Sequence, residues 1–187
     1  MSALRTRSAG RACYGKAFTV INEGLNGRTT VFDDLIEEYR CGKEHIIPLL
    51  DTAAPIELLI IMPGTNDLKY RFSASAYDIA EGAGLLIDKA LSRPGAFIGG
   101  KPKILLVSPP HLAKSESCTH FDPAFLNSRT KSLELAPFYS EAAKARGAYF
   151  FDADTVVNVS VDGVHIDAAG HKIPGQQLAC IVKKILA

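Results

Sequence analysis

A doubly wound α/β fold with a mainly parallel sheet is the class that this sequence predicts. Three observations carry it: short continuous apolar runs of the kind found in strands buried on both faces, helix-length segments between them, and regular alternation of the two along the chain. Length agrees, since 187 residues suit a single domain over 1–187 and suffice to bury a core without disulfides or metals. Residues 1–17 stand apart as an atypical start.

The first apolar run is FTVIN (18–22), followed by a helix-like segment over about 44–53. IELLIIM (56–62) is continuous rather than alternating, as a strand covered on both faces requires. In the next helix, over about 74–92, Ile79, Ala83, Leu86 and Ala90 fall on one face, the stripe that covers a sheet. KILLVS (103–108) and AYFFDA (148–153) are the remaining strands, with helices over about 123–146 and within 167–186. The order is β-α-β-α-β-α-β-α, and such sheets bind ligands outside the carboxyl ends of their strands. The long irregular connection PPHLAKSESCTHFD (109–122) lies at one such end, either as a plain solvated loop or as a source of binding contacts.

Composition excludes several classes. Lys plus Arg (21) nearly balances Asp plus Glu (20), so no excess positive charge is available to neutralise phosphates, and a nucleic-acid partner is not expected. Cys13, Cys41, Cys118 and Cys180 form no C-x-x-C pair, which argues against a zinc or redox motif and fits reduced thiols in the cytoplasm. No run approaches the roughly 18 apolar residues of a membrane span, and the start lacks a secretory signal. MSALRTRSAGRACYGK carries four basic and no acidic side chains, which would suit a transit peptide; an ordinary surface helix or ragged start is the reading preferred.

Three stretches carry possible chemistry. After strand 56–62 comes PGTND (63–67), where Thr65, Asn66 and Asp67 are cap and turn residues, while Asn66 at a strand's carboxyl end could aim its amide at a developing oxyanion. After strand 18–22 comes EGLNGRTT, where Gly24 and Gly27 permit close backbone approach and the Gly27 N–H is a second possible oxyanion donor. In VDGVHIDAAGH (161–171), Asp162 and Gly163 make a tight turn and Asp167 can cap the following helix. Asp162 lies three residues before His165, spaced to bond one ring nitrogen and leave the other to take a proton; His171 reads as exposed.

Taken together, in the order glycine turn, asparagine turn, aspartate and histidine, these stretches resemble the SGNH or GDSL hydrolases, in their arylesterase and acyltransferase branch. The resemblance rests on VINEGLNGRTT (20–30), LLIIMPGTNDLK (58–69), LLVSPP (105–110), FFDA (150–153) and DGVHID (162–167). It implies a flavodoxin-like three-layer αβα sandwich. It also implies that Gly27 and Asn66 are oxyanion donors, His165 the general base and Asp162 its orienter. The implied reaction is hydrolysis of a small carboxylic ester, or acyl transfer to an alcohol, through an acyl-serine without metal or organic cofactor. Relatives with this glycine turn often form oligomers, so a homo-oligomer is expected, with Arg28 and TTVFDDLIEEYRCG near the interface; a surface ion pair is the other reading of Arg28.

The sequence departs from this family in one respect. No Gly-Asp-Ser occurs, so the nucleophile is unassigned; Ser8, in RTRSAGR, is a weak candidate only nineteen residues before Gly27, and Ser108 a weaker one. In the strand order 2-1-3-4-5 the first strand is central, so its loss would leave the strands at 18–22 and 56–62 with unpaired backbone groups in the core. Residues 1–12 filling the gap, closure of the strands, or an element lent by a partner chain would repair it. The simplest expectation is instead a strand and helix of roughly 25 to 40 residues lost upstream. A chain so impaired would hydrolyse esters slowly, or serve as a non-catalytic binder of acyl or sugar ligands. A nucleotide binder is not favoured, because EGLNGRTT lacks the Gly-x-Gly-x-x-Gly and Walker patterns.

Overall fold

The computed structural model describes residues 19–113, 121–157, 159–166 and 170–187, with the backbone of residues 2 and 3. The sheet contains β1 (Ser2–Ala3), β2 (Ile21–Asn22), β3 (Leu59–Ile61), β4 (Ile104–Ser108) and β5 (Tyr149–Asp152). Their spatial order is β2-β1-β3-β4-β5. The pairs β3·β4 and β4·β5 are parallel, with Ile60 opposite Leu105 and Leu106 opposite Phe150. β1 runs antiparallel to both neighbours, Ser2 facing Asn22 on one side and Ile60 on the other. β2 and β3 therefore run in the same direction as β4 and β5, and their carboxyl ends open on one edge.

The sheet thus has the expected 2-1-3-4-5 order, with its central position held by two residues in the reversed sense. These two residues fill the gap that would otherwise separate β2 from β3, the first of the three repairs. The physical reason is the cost of leaving ladder N–H and C=O groups unpaired inside a domain.

Alternation along the central strands builds two cores. Leu59, Ile61, Ile104 and Leu106 join the cluster containing Ile46 and Leu50 of α1 (Gly42–Ala53), Ile79, Ala83 and Leu86 of α2 (Ala76–Leu91), and Tyr139 of a later helix. Leu58, Ile60, Leu105 and Val107 face the other way, against Val182 and Ile185 of α6 (Lys172–Leu186). This is a three-layer αβα arrangement. All four residues of the stripe expected in α2 are fully buried. That helix starts with a capping box, in which Ser75 Oγ accepts from Asp78 N (3.1 Å) and the Asp78 carboxylate accepts from Ser75 N (3.1 Å).

The helix expected over 123–146 is instead three: α3 (Phe121–Ala124), α4 (Ser128–Leu133) and α5 (Leu135–Ala145). Asn127 breaks the first junction with φ +61°. Pro137 falls in the first turn of α5, where a missing N–H costs nothing, whereas in a continuous helix it would remove a bond and clash. Around the breaks, Ser128 Oγ donates to the Leu68 carbonyl and Ser132 Oγ accepts from Leu112 N (2.9 Å), tying α4 to loops at the sheet's carboxyl edge.

Ala3→Pro should remove a ladder donor from β1, costing about 1–3 kcal/mol of stability. Urea unfolding measures this, and an unchanged midpoint would mean that β1 is not part of the sheet.

Candidate active site

The loop after β2 is held by short-range bonds. Gly24 N donates to Asn22 Oδ1 (3.0 Å), and Arg28 N to the Leu25 carbonyl (3.1 Å). Gly27 has φ +78°, a backbone conformation that favours glycine, and a Cβ there would meet the carboxylate end of Glu37 at 2.5 Å. Among the described residues nothing accepts from its N–H. Arg28 is buried, which corrects the surface ion-pair reading. Its Nε has no hydrogen-bond partner among the described residues, and burial lowers its pKa.

The loop after β3 is fixed more firmly. Tyr139, fully buried in α5, donates its hydroxyl to the Pro63 carbonyl (2.9 Å). Gly64, with φ +125°, lies under that hydroxyl, which a Cβ would approach to 2.2 Å. Thr65 makes no side-chain cap, contrary to the simple reading of PGTND; the chain enters a 3-10 turn at Asn66–Leu68. The Asn66 amide donates through Nδ2 to the Arg28 carbonyl (3.2 Å). A primary amide has two N–H donors, so this bond orients the group and leaves one N–H over. Asp67 is fully buried, and its Oδ1 accepts from both Thr30 N (2.8 Å) and Thr30 Oγ1 (2.5 Å). Burial pushes its pKa up to about 6, against the pull of the Thr30 bonds and the Lys69 charge.

Asp162 organises the third stretch. Its Oδ1 accepts from Ser160 Oγ, Val164 N and His165 N, each at 2.9 Å, and its Oδ2 lies 2.7 Å from His165 Nδ1. Although its burial acts in the opposite direction, the bonds from the His165 and Val164 backbone, the imidazole and Ser160 hold this carboxyl well below the usual carboxylate range. The imidazole is thereby fixed at Nδ1, the arrangement that presents Nε2 as the proton acceptor. Asp167 lies outside the described residues. His171 is exposed at the start of α6.

One cleft of about 710 Å³ gathers these groups: Gly27, Asn66, His165 and His171 all line it. Ser108 does not; it is fully buried, with its hydroxyl against the Pro109 carbonyl. Ser8 lies outside the described residues. The cleft also holds charges that sequence reasoning missed. Lys69 Nζ donates to Glu37 Oε1 (2.5 Å), and Arg71 bonds both Glu37 Oε1 (2.9 Å) and Asp34. The Lys69 and Arg71 bonds outweigh burial at Glu37 and hold its pKa down. The nearest sequence signal was the run of acids in FDDLIEE, which nothing local paired with the LKYR stretch.

The sequence model of the GDSL-like lipase/acylhydrolase family matches residues 4–173. The chain belongs to that family. Among solved structures, this GDSL-like chain is similar to the inhibitor-bound M. smegmatis aryl esterase, at 36% identity over 97% of this chain and 89% of the other, with a TM-score of 0.88. It is also similar to a carbohydrate acetylesterase from Sinorhizobium meliloti, at 31% identity over 96% and 88% of the two chains, with a TM-score of 0.88. A GDSL-like lipase from Bacteroides thetaiotaomicron, at 18% identity with 88% and 75% covered and a TM-score of 0.65, shares the fold. No curated protein matches significantly. Among the described residues, no helix of this SGNH/GDSL hydrolase is long and apolar enough to cross a membrane.

Asp67 yields a pH prediction. Its folded pKa lies above the ordinary value near 4, so the folded state binds the extra proton and stability falls as pH rises from about 4 through about 6. Asp67→Asn keeps the acceptor and removes the charge, so relative to the parent it should gain about 2 kcal/mol between pH 4 and pH 7. Denaturant titrations at both pH values check this; parallel shifts in the two proteins would refute it.

Proposed function

We propose that this GDSL-like chain hydrolyses small carboxylic esters, or transfers their acyl group to an alcohol, in the cleft lined by Gly27, Asn66 and His165. The observation that carries the reading is the hydrogen-bonded Asp162–His165 pair on the same cleft as two candidate oxyanion donors. The similarity to an aryl esterase and a carbohydrate acetylesterase supports it. In this reading His165 is the general base, taking the proton of the attacking hydroxyl and returning it to the leaving alcohol. Asp162 holds the ring and stabilises the imidazolium. The Gly27 N–H and the remaining Asn66 N–H bind the oxygen that becomes negative in the tetrahedral intermediate. Ser8 remains the candidate nucleophile, and an acyl-Ser8 ester would then be cleaved by water through the same base. We further read the chain as one domain acting in a reducing compartment, consistent with free Cys41 and Cys180. Self-association is proposed through the segment bearing the exposed Leu35, Ile36 and Tyr39.

A second reading, a non-catalytic binder of acyl or sugar ligands, is favoured by one feature: among the described residues no serine lines the cleft. The two differ sharply in rate, because losing a serine nucleophile costs on the order of 10⁶ in turnover.

The test is turnover of a short-chain aryl acetate, with a serine-directed phosphonate probe read by mass spectrometry. The hydrolase reading expects slow turnover that falls by about 10²- to 10⁴-fold in His165→Ala, as loss of a general base requires, together with a labelled serine. Folded protein that neither turns over nor labels would instead support the binding scaffold.

A further inference from the structure

We infer that Asp67 and Thr30 form a positioning clamp that sets the two oxyanion donors, Gly27 and Asn66, at a fixed separation. The inference rests on the ester-hydrolase reading for its catalytic consequence, though not for the geometry.

The two donors come from different loops. Gly27 lies in the loop after β2 and Asn66 in the loop after β3, and in the sheet β1 stands between those strands. Because β1 is only two residues long, its ladder reaches Asn22 of β2 and Ile60 of β3 and goes no further into either loop. The loops therefore need a register of their own. It is supplied by the residue next to Asn66 and a residue three past Gly27. Asp67 Oδ1 receives both the backbone N–H and the hydroxyl of Thr30, a paired contact across 37 residues of sequence, with both side chains fully buried. The bond from Asn66 Nδ2 to the Arg28 carbonyl closes the other side of the same small frame.

The chemistry needs such a frame. An oxyanion hole works because its donors are already aimed at where charge will develop, and an error near 1 Å can cost 10²-fold in rate. A carboxylate makes a strong clamp because hydrogen bonds to a charged acceptor are shorter and stronger than neutral ones. A buried carboxylate is costly to keep unless it is hydrogen-bonded, and Thr30 supplies both bonds to Oδ1. Thr30 has a second duty: its hydroxyl and Cβ lie where a side chain at Gly82 of α2 would sit, so Thr30 is held from behind by the helix. Neither residue lines the cleft, so each acts through the donor beside it.

The informative variants are Thr30→Val, which deletes only the hydroxyl donor, and Thr30→Ser, which restores it. With an aryl acetate, Thr30→Val should lower kcat about five- to twenty-fold with KM within two-fold, the signature of an interaction expressed in the transition state. Thr30→Ser should recover most of that loss. In ¹⁵N spectra of the ligand-free chain, Thr30→Val should also shift the Asn66 side-chain amide and the Gly27 and Arg28 backbone amides, and Thr30→Ser should not. A raised KM with unchanged kcat, or a Thr30→Ser protein as impaired as Thr30→Val, would overturn the role. Should the parent chain lack turnover altogether, the hydrolase reading fails alone, and the amide shifts still decide: cleft amides unmoved by Thr30→Val would overturn the clamp.

Discussion

Everything at the carboxyl edge of this molecule depends on the sheet being continuous between β2 and β3. An unpaired strand edge inside a domain leaves N–H and C=O groups with neither water nor partner, at a cost that a fold of marginal stability does not tolerate. Ser2 and Ala3 meet that requirement with the least possible material, pairing on both sides. Their reversed direction is of no consequence to the ladder, which antiparallel strands satisfy at least as well as parallel ones. What it changes is the connection: a reversed β1 ends at the opposite edge of the sheet from the other strands. Among the described residues, only the Ser2 end of β1 stands between the loops after β2 and β3.

Buried polar contacts take over there. Asp67, Thr30, Asn66 and the Arg28 carbonyl knit the two loops, and Tyr139 anchors the second to α5 through the Pro63 carbonyl. Beside them, Asp34, Glu37, Lys69 and Arg71 form a compact group of two acids and two bases, with Asp34 and Lys69 nearly inaccessible. Such groups add little net stability once desolvation is counted, but breaking one partner leaves a buried charge exposed to its own cost. They behave as fasteners of geometry more than as sources of stability. The third wall follows the same logic: four bonds converge on the Asp162 carboxylate, so the imaginable rotations of the His165 ring are few.

The sequence was most legible where one physical rule acts alone. Continuous apolar runs marked β3 and β4 because strands covered on both faces have no polar side, while β5, at the sheet edge, is only partly buried; the stripe Ile79, Ala83, Leu86, Ala90 marked α2 for the complementary reason. Asp162 and His165 were legible as a pair because three residues on a turn bring them together without help from the rest of the fold. Legibility failed where long-range contacts decide. The breaks at Asn127 and before α5 depend on Ser128 and Ser132 reaching loops far away in sequence, although Pro137 was a local warning. Asp67 looked like a cap residue, and only its bond to Thr30 shows otherwise. The charged wall of the cleft joins acids at 34 and 37 to bases at 69 and 71, a pairing no local pattern announces.

The most direct measurement is the kcat of Asn66→Ala against the parent chain on an aryl acetate, at saturating substrate and with folding checked. With this amide on the developing oxyanion, as proposed, kcat should fall by about 10²-fold or more, the known cost of one such donor. An unchanged kcat, in a protein that does turn over, would mean that the ester oxygen is held elsewhere and that the cleft between the two loops is not where the reaction happens.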